Sequence, residues 1–324
     1  MSETILRVDD LTVEFRSARG AFRAVEGITF DVPAGRTVGI VGESGSGKSV
    51  TAMSILRLLD PRSASVRGSV TLRGTELLAL GSAEMRKIRG AKIAMVFQDP
   101  SASLDPSWRI GRQIEEAILV HQRVSRAEAR SRALALLNDV GIPAPSERID
   151  AFPHELSGGM KQRAMIAIAL ACGPDLLIAD EPTTALDVTI QAQILDLLKK
   201  IQRERGLSII LITHDLGLVA EAAEEIVVMY AGRVVERGHA LDVLRAPSHP
   251  YTAGLLASTP LPGVAVERLR EIPGVVPDLR ALPAGCRFEA RCSFTQDRCR
   301  EEEPALVADG AAAHRCHFPL GGPA

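Results

Sequence analysis

The chain of 324 residues, 46% hydrophobic and 24% charged, is long enough for one large globular domain or two ordinary ones. Its formal net charge of −2 provides no basic excess, so nucleic acid is not expected as a partner. Residues 1–10 carry acids without an apolar core, and no apolar run approaches the ~18 residues of a membrane span. The sequence therefore predicts no secretory signal and no transmembrane segment, and it predicts a cytoplasmic location.

The predicted elements alternate between strands and helices along most of the chain. Alternating or continuous apolar residues predict strands over 5–15, 28–32, 37–42, 92–98, 175–181, 208–214 and 225–238. Helical spacing predicts helices over 110–121, 125–141 and 189–205, and another after Gly159. The helix at 125–141 opens with a capping box formed by Ser125 and Glu128. This order predicts an α/β fold with a parallel sheet and a helical insertion.

The segment "GESGSGKS" follows the buried strand at 37–42 and precedes a helix, and it fits the pattern G-x-x-x-x-G-K-[ST]. Glycines let the backbone wrap around a polyphosphate so that N–H groups and the helix N-terminus face its charge. Lys48 is expected to reach the β- and γ-phosphates, and Ser49 to bind Mg²⁺. The residues expected to contact nucleotide here are Gly42, Ser44, Gly45, Ser46, Gly47, Lys48, Ser49 and Val50.

The apolar strand at 175–181 delivers two carboxylates at its C-terminal end, the edge at which α/β sheets bind ligands. Asp180 is expected to hold Mg²⁺, and Glu181 to polarise the attacking water. Buried strands often end in an acid that only caps the next helix. The phosphate-binding pattern elsewhere in the chain favours the functional interpretation.

The segment "LSGGMKQR", residues 156–163, resembles the signature motif of ATP-binding cassette (ABC) proteins. Ser157, Gly158 and Gly159 open a helix and so form a second anion-binding N-terminus. The resemblance implies that this signature covers the γ-phosphate held by the phosphate loop of a second subunit. Dimerisation would then complete the ATP site.

Other positions match the cassette in the same order. The resemblance implies that an aromatic residue stacks on adenine, with Phe15 as the candidate and Phe22 as its rival. Gln98 matches the loop glutamine that meets Mg²⁺ or water, and Asp187 ends a "TALD" segment that matches the D-loop crossing the dimer. His214 matches the switch histidine that contacts the γ-phosphate. The implied catalytic groups are Lys48, Gln98, Glu181 and His214, and the implied Mg²⁺ ligands are Ser49, Gln98 and Asp180.

The resemblance covers roughly residues 5–255 and implies an ABC nucleotide-binding domain over 1–255. Such a domain has a RecA-like parallel sheet core, an antiparallel β subdomain and a helical subdomain, here at about 98–160. The remaining 256–324 are expected to form a C-terminal extension. Beyond residue 247, segments punctuated by Pro and Gly predict irregular structure rather than more sheet.

"FQDPSASLDP" and "HPYTAGLL" closely resemble ATPase subunits of dipeptide and oligopeptide importers, a group that includes nickel carriers. The resemblance implies two membrane permeases, an extracytoplasmic solute-binding protein, and a second related ATPase subunit in a heterodimer, with a homodimer as the alternative. The protein would then be peripheral to the cytoplasmic face of the membrane. The alternatives are import of nickel or another solute, and a soluble ABC ATPase without permeases.

Four of the five cysteines lie within the last 39 residues: Cys286, Cys292, Cys299 and Cys316. Some peptide-importer ATPases carry four cysteines at similar spacings that hold a 4Fe-4S cluster, so the resemblance implies such a cluster here. Zinc is the alternative, with four thiolates or with three and His314 or His317, and free thiols or disulfides remain open. The cysteine segment is expected to be structural and to touch nothing at the ATP site.

Overall fold

The computed structural model describes residues 3–17, 20–184, 186–258, 271–310 and 312–321. The chain divides into two compact units: unit 1 comprises Met1–Ala79 and Leu211–Ala324, and unit 2 comprises Leu80–Ile210. None of the helices in the described ranges is long and apolar enough to cross a membrane.

The strands, in chain order, are β1 (Thr4–Ser17), β2 (Gly20–Pro33), β3 (Thr37–Val41), β4 (Ala64–Leu72), β5 (Thr75–Glu76), β6 (Ile93–Val96), β7 (Leu176–Asp180), β8 (Ser208–Thr213), β9 (Glu225–Tyr230), β10 (Arg233–His239), β11 (Val307–Asp309) and β12 (Ala312–His314). The helices are α1 (Lys48–Ile55), α2 (Ser82–Ile88), α3 (Pro100–Ser103), α4 (Ile110–His121), α5 (Arg126–Asp139), α6 (Pro145–Arg148), α7 (Gly158–Leu170), α8 (Val188–Arg205), α9 (Leu216–Ala222), α10 (Ala240–Arg245), α11 (Pro250–Ser258) and α12 (Asp297–Glu301). The helices at 110–121 and 125–141 form as predicted, and Ser125 accepts a hydrogen bond from the Glu128 N–H at 3.2 Å.

Unit 1 contains an antiparallel sheet in the order β2-β1-β4-β5. Strands β4 and β5 were not predicted. The signal was present, because Val66, Val70 and Leu72 alternate with polar residues, but Gly68 interrupts the apolar pattern. The antiparallel β subdomain of an ABC cassette is therefore present in unit 1.

The second sheet of unit 1 runs in the order β11-β12-β10-β9-β3, and β3 pairs in parallel with β9. All five residues of β3 are buried, as its continuous apolar run predicts. On this sheet packs a core that includes Val41, Tyr230, Tyr251 and Phe288. Tyr251 comes from α11 and Phe288 from the C-terminal extension, so the extension contributes to the core of this unit.

The prediction that the extension adds no further sheet is wrong at β11 and β12. Strand β12 pairs with β10 through Glu236↔His314 and Arg237↔Ala313, and β11 pairs with β12. Asp309, the last residue of β11, and Gly310 form a pair that is typical of hairpin turns. Strands of three residues are nevertheless too short to show a clear alternation of apolar and polar residues.

Unit 2 contains β6 and β7, which pair in parallel with Ile93 opposite Leu176. Helices α4, α5 and α7 contact one another and form the helical part of the unit. Helix α7 begins directly after Ser157, and β7 ends at Asp180, so this unit carries both the signature segment and the strand-end carboxylates. The cassette architecture predicted from the sequence is confirmed.

Candidate nucleotide site

The loop at 42–49 joins the buried strand β3 to helix α1 in unit 1. Gly42 and Gly47 have φ angles of 152° and 103°, conformations that other residues rarely adopt. A Cβ atom on Gly42 would lie 2.1 Å from the Met229 carbonyl oxygen, and one on Gly47 would lie 2.8 Å from that of Ala24. The motif glycines are therefore required by close backbone packing as well as by the curvature of the loop.

Lys48 is buried at the first position of α1, and its ammonium group points back into the loop. Its Nζ donates to the carbonyl oxygens of Gly42 at 2.6 Å and Glu43 at 2.9 Å, and lies 3.4 Å from Ser46 Oγ. A helix N-terminus leaves backbone N–H groups without intrahelical acceptors, so it favours an anion. The buried ammonium and the helix end together make this loop suited to a polyphosphate.

Glu43 links the loop to two distant parts of unit 1. Its backbone N–H donates to Tyr251 Oη at 2.8 Å, and its carboxylate pairs with both terminal nitrogens of Arg291 at 2.6 and 3.0 Å. Arg291 directly precedes Cys292. The expectation that the cysteine segment touches nothing at the ATP site is therefore wrong, and sequence reasoning missed Glu43, Tyr251 and Arg291.

The two aromatic candidates for adenine stacking are cross-strand partners in unit 1. Phe15 on β1 pairs with Phe22 on β2, and their rings stack with centroids 5.7 Å apart at 24°. The Arg280 guanidinium carbon lies 5.0 Å from the centre of the Phe22 ring. Phe15 and Phe22 thus form one aromatic surface, and the assignment of Phe15 to adenine stays a prediction. His214, which directly follows β8 in the same unit, is exposed.

In unit 2 the carboxylates at the end of β7 differ in environment. Asp180 is buried, whereas Glu181 adopts a left-handed φ of 47° that turns the chain out of the strand. Glu181 Oε2 accepts hydrogen bonds from Gln98 Nε2 at 3.0 Å and from Thr184 Oγ1 at 2.8 Å. The structure thus brings Gln98 and Glu181 together and adds Thr184, a partner that the sequence did not indicate.

The signature segment forms the predicted helix start in unit 2. Ser157 is the N-cap of α7 and accepts from the Met160 N–H at 3.4 Å, and Gly158 and Gly159 are the first helical residues. Asp187 caps α8 through the Ile190 N–H at 2.9 Å. Its expected place in a dimer-crossing D-loop stays a prediction, and Ala185 of that segment lies outside the described residues.

The four C-terminal cysteines line one pocket in unit 1, together with His249, Phe288, His317 and other residues. All four are free thiols, so a disulfide among them is absent. Burial raises the pKa of Cys286 to about 11, and the neighbouring thiols add to the effect. Among the described residues, no group of three or more His, Cys, Asp or Glu side chains is arranged to hold a single metal ion.

Comparison with known proteins places these features in a family. The ABC transporter family model matches residues 25–184, and the model for the oligopeptide/dipeptide transporter C-terminal region matches residues 235–299. The chain is 52% identical over 318 residues to the dipeptide transport ATP-binding protein DppD of Escherichia coli, covering 98% of this chain and 97% of that protein. It is also 52% identical to the probable peptide ABC transporter ATP-binding protein y4tR of Sinorhizobium fredii, over 96% of this chain and 94% of that one.

Solved structures give the same result for the fold. The dimeric, post-hydrolysis structure of the ATP-binding cassette MJ0796 bound to ADP and Pi superposes with a TM-score of 0.66 at 30% identity, covering 72% of this chain and 98% of that one. CbiO1 of Clostridium perfringens, part of the transporter complex cbiONQ, has a TM-score of 0.64 at 30% identity over 75% and 92% of the two chains. The chain belongs to the ATP-binding subunits of the dipeptide/oligopeptide ABC transporter family.

Proposed function

We propose that the chain is the ATP-hydrolysing subunit that powers import of dipeptides or oligopeptides across the cytoplasmic membrane. The observation that carries this proposal is the extent of the similarity. Identity of about half persists from the cassette through the C-terminal region, over 98% of the chain, in proteins named for dipeptide transport. A generic ABC ATPase would share the cassette alone.

In unit 1 the loop at 42–49 supplies phosphate binding. The ammonium group of Lys48 is held against loop carbonyls, and we infer that it also contacts the β- and γ-phosphates when ATP binds. Ser49 is the proposed Mg²⁺ ligand of this unit, Phe15 the proposed adenine platform and His214 the proposed γ-phosphate contact. Gln98 and Asp180 of unit 2 are the other proposed Mg²⁺ ligands, because hydroxyl, amide and carboxylate oxygens suit this ion. When bound, this ion neutralises charge on the phosphates.

In unit 2 Glu181 is the proposed general base that takes a proton from the attacking water. Gln98 and Thr184 both donate to its Oε2 and so fix the orientation of the carboxylate. Phosphoryl transfer to water depends on positioning and charge neutralisation more than on covalent catalysis, and these side chains supply the positioning.

Two copies of an ATPase subunit are proposed to complete each site. The N-terminus of α7, with Ser157, Gly158 and Gly159, is a second anion-binding helix end, and the resemblance to ABC cassettes assigns it to the γ-phosphate held by another subunit. The cassette MJ0796, which this chain resembles, is dimeric in its ADP-bound structure. The partner is proposed to be a second related ATPase subunit, with a homodimer as the alternative.

The remaining partners are two membrane permeases and, through them, an extracytoplasmic binding protein, which places this subunit at the cytoplasmic face of the membrane. The helical part of unit 2 leaves Leu119 and Val120 of α4 exposed, and Trp108, Arg112 and Glu116 line the adjacent groove. An apolar patch with a charged rim fits a protein contact. The division into an ATPase domain at 1–255 and an extension at 256–324 is part of the same proposal.

The cysteine pocket is proposed to hold a 4Fe-4S cluster, with zinc as the alternative. All four cysteines line one apolar pocket, and four thiolates are the ligand set that would hold such a cluster. Zinc is the alternative because four thiolates also make a closed tetrahedral zinc site. Burial raises the pKa of the Cys286, Cys292 and Cys316 thiols, so binding a cluster through thiolates would require these three groups to release their protons.

One preparation tests these proposals together: the complex isolated from membranes of the native cell through a tag on this chain. We expect two permeases, a second ATPase subunit, ATP hydrolysis stimulated by peptide-loaded binding protein, and about four iron and four sulfide ions per chain. Stimulation by nickel and not by peptide would favour the alternative cargo. Full ATPase activity without permeases would favour a soluble ABC ATPase, and a colourless, iron-free protein with an ordered C-terminus would refute the cluster.

A further inference from the structure

The segment that carries the cysteines reaches the phosphate-binding loop through one side chain. Arg291 is the last residue of a short helical turn, Glu289–Arg291, and directly precedes Cys292. Only 6% of its side chain is exposed, and it pairs with both carboxylate oxygens of Glu43. Bidentate guanidinium–carboxylate pairs fix geometry as well as charge, because both planar groups must align.

The guanidinium of Arg291 is fully engaged. Besides the two bonds to Glu43, its Nε donates to the Pro273 carbonyl at 2.8 Å, and its terminal nitrogens donate to Tyr230 Oη and to the Ile272 carbonyl, each at 3.3 Å. The guanidinium therefore uses all five N–H donors. An arginine held in this way cannot move without breaking bonds, so it is a rigid support for the residue that it contacts.

Glu43 transmits this support to the centre of the loop. Its carbonyl oxygen accepts from Lys48 Nζ at 2.9 Å, and its backbone N–H is held by Tyr251 Oη at 2.8 Å. The side chain of Glu43 thus faces the extension while its backbone holds the lysine ammonium. A loop fixed before the ligand arrives loses less conformational entropy on binding, so its affinity is higher.

We propose that Arg291 is a positioning residue for ATP: through Glu43 it holds the loop at 42–49 in its binding conformation, so that the cysteine segment sets nucleotide affinity. The inference rests on the proposed phosphate-binding role of that loop. It does not require the pocket to hold any particular metal. The extension thus contributes to nucleotide affinity in addition to stabilising the fold.

The test measures Mg²⁺-ATP affinity, kcat, KM and melting temperature of the purified full-length protein. Arg291→Ala is expected to raise Kd and KM about tenfold and to change kcat less than about twofold, because the loop is loosened but the chemistry is intact. Arg291→Lys, which keeps charge but cannot pair in bidentate fashion, should restore only part of the affinity. Glu43→Gln weakens the same contact from the loop side and should raise Kd by a similar factor. This variant provides the test if Arg291→Ala folds poorly.

Two controls separate positioning from general stability. Arg315→Ala removes a half-buried arginine that also lies beside a cysteine but bonds the Val234 and Pro304 carbonyls instead of the loop. It should lower the melting temperature and leave Kd unchanged. The double variant Arg291→Ala with Glu43→Gln should bind ATP no more weakly than the poorer of these two single variants, because both changes break one contact.

The proposal would be overturned if the losses of ATP affinity in the two single variants added up in the double variant. It would also be overturned if Arg291→Ala left Kd unchanged and only lowered the melting temperature, as Arg315→Ala does. Failure of the wild-type protein to bind ATP would instead refute the proposed function.

Discussion

Thr184 makes a contact with Glu181 that the structure shows and that the sequence did not predict. The motif interpretation assigns it only to the D-loop, yet its hydroxyl donates to Glu181 Oε2 at 2.8 Å, the same oxygen that Gln98 approaches. Threonine at a strand-to-helix turn is common, so its sequence position carries no indication of this contact. The geometry makes Thr184 a positioning residue for the proposed general base.

Replacing Thr184 with Val removes the hydroxyl at nearly constant volume. We expect kcat for ATP hydrolysis to fall about tenfold with KM unchanged, because the carboxylate loses one of its two orienting donors. Steady-state kinetics on the purified subunit measure this. Thr184→Ser, which keeps the hydroxyl, should retain most of the activity, and equal losses in Val and Ser variants would rule out the hydrogen bond as the cause.

At the scale of elements, α11 shows how "HPYTAGLL" joins the core of unit 1. Buried His249 precedes Pro250, and its Nδ1 accepts from the Tyr251 N–H at 3.0 Å in the first turn of the helix. The His249 N–H donates to Glu236 of β10 at 3.0 Å. These bonds place the Tyr251 hydroxyl against the phosphate-binding loop, so this family motif has a structural role in the nucleotide site.

The buried imidazole predicts a pH dependence of stability. Burial, with the charges of His314 and Arg315 nearby, lowers the pKa of His249 to about 3 from the 6.5 of an ordinary histidine. Between these values the unfolded chain binds a proton that the folded chain does not, so stability falls as pH falls below 6.5. At pH 5 this loss is about 2 kcal/mol relative to neutral pH.

Urea denaturation at pH 7.5 and pH 5 tests this prediction. His249→Asn keeps an acceptor for the Tyr251 N–H and cannot titrate, so the variant should lose about 2 kcal/mol less than the wild type over this pH range. The same loss in both proteins would show that other groups cause the acid sensitivity.

The sequence predicted the elements whose signal is local. Loop 42–49, the carboxylates after β7 and the helix start at Ser157 follow from residues adjacent in the chain, and the structure contains each of these elements. The Arg291–Glu43 contact joins residues 248 positions apart, and no local pattern specifies such a pairing. Strands β11 and β12 were not predicted for a different reason. They form because β12 pairs with the edge of β10, and their own short sequences contribute less to strand formation than this pairing does.

At the scale of the whole molecule, the C-terminal extension is part of unit 1 and not an appendage to it. Its strands continue the sheet of that unit, its Phe288 packs among Tyr230 and Tyr251, and its Arg291 pairs with Glu43 of the loop at 42–49. An account in which ATP hydrolysis by this subunit drives peptide import must therefore include the extension as well as the cassette.

The most direct test of that account is ATP-dependent uptake of a labelled dipeptide by vesicles that contain the membrane complex with its binding protein. Wild-type vesicles should accumulate peptide, whereas vesicles with Glu181→Gln should bind ATP but lose uptake and turnover together by about a hundredfold or more. Asp175→Asn, at the other end of β7 where Asp175 pairs with Lys92, is the matched control and should behave as wild type. Peptide accumulation by the Glu181→Gln complex at the wild-type rate would contradict the account.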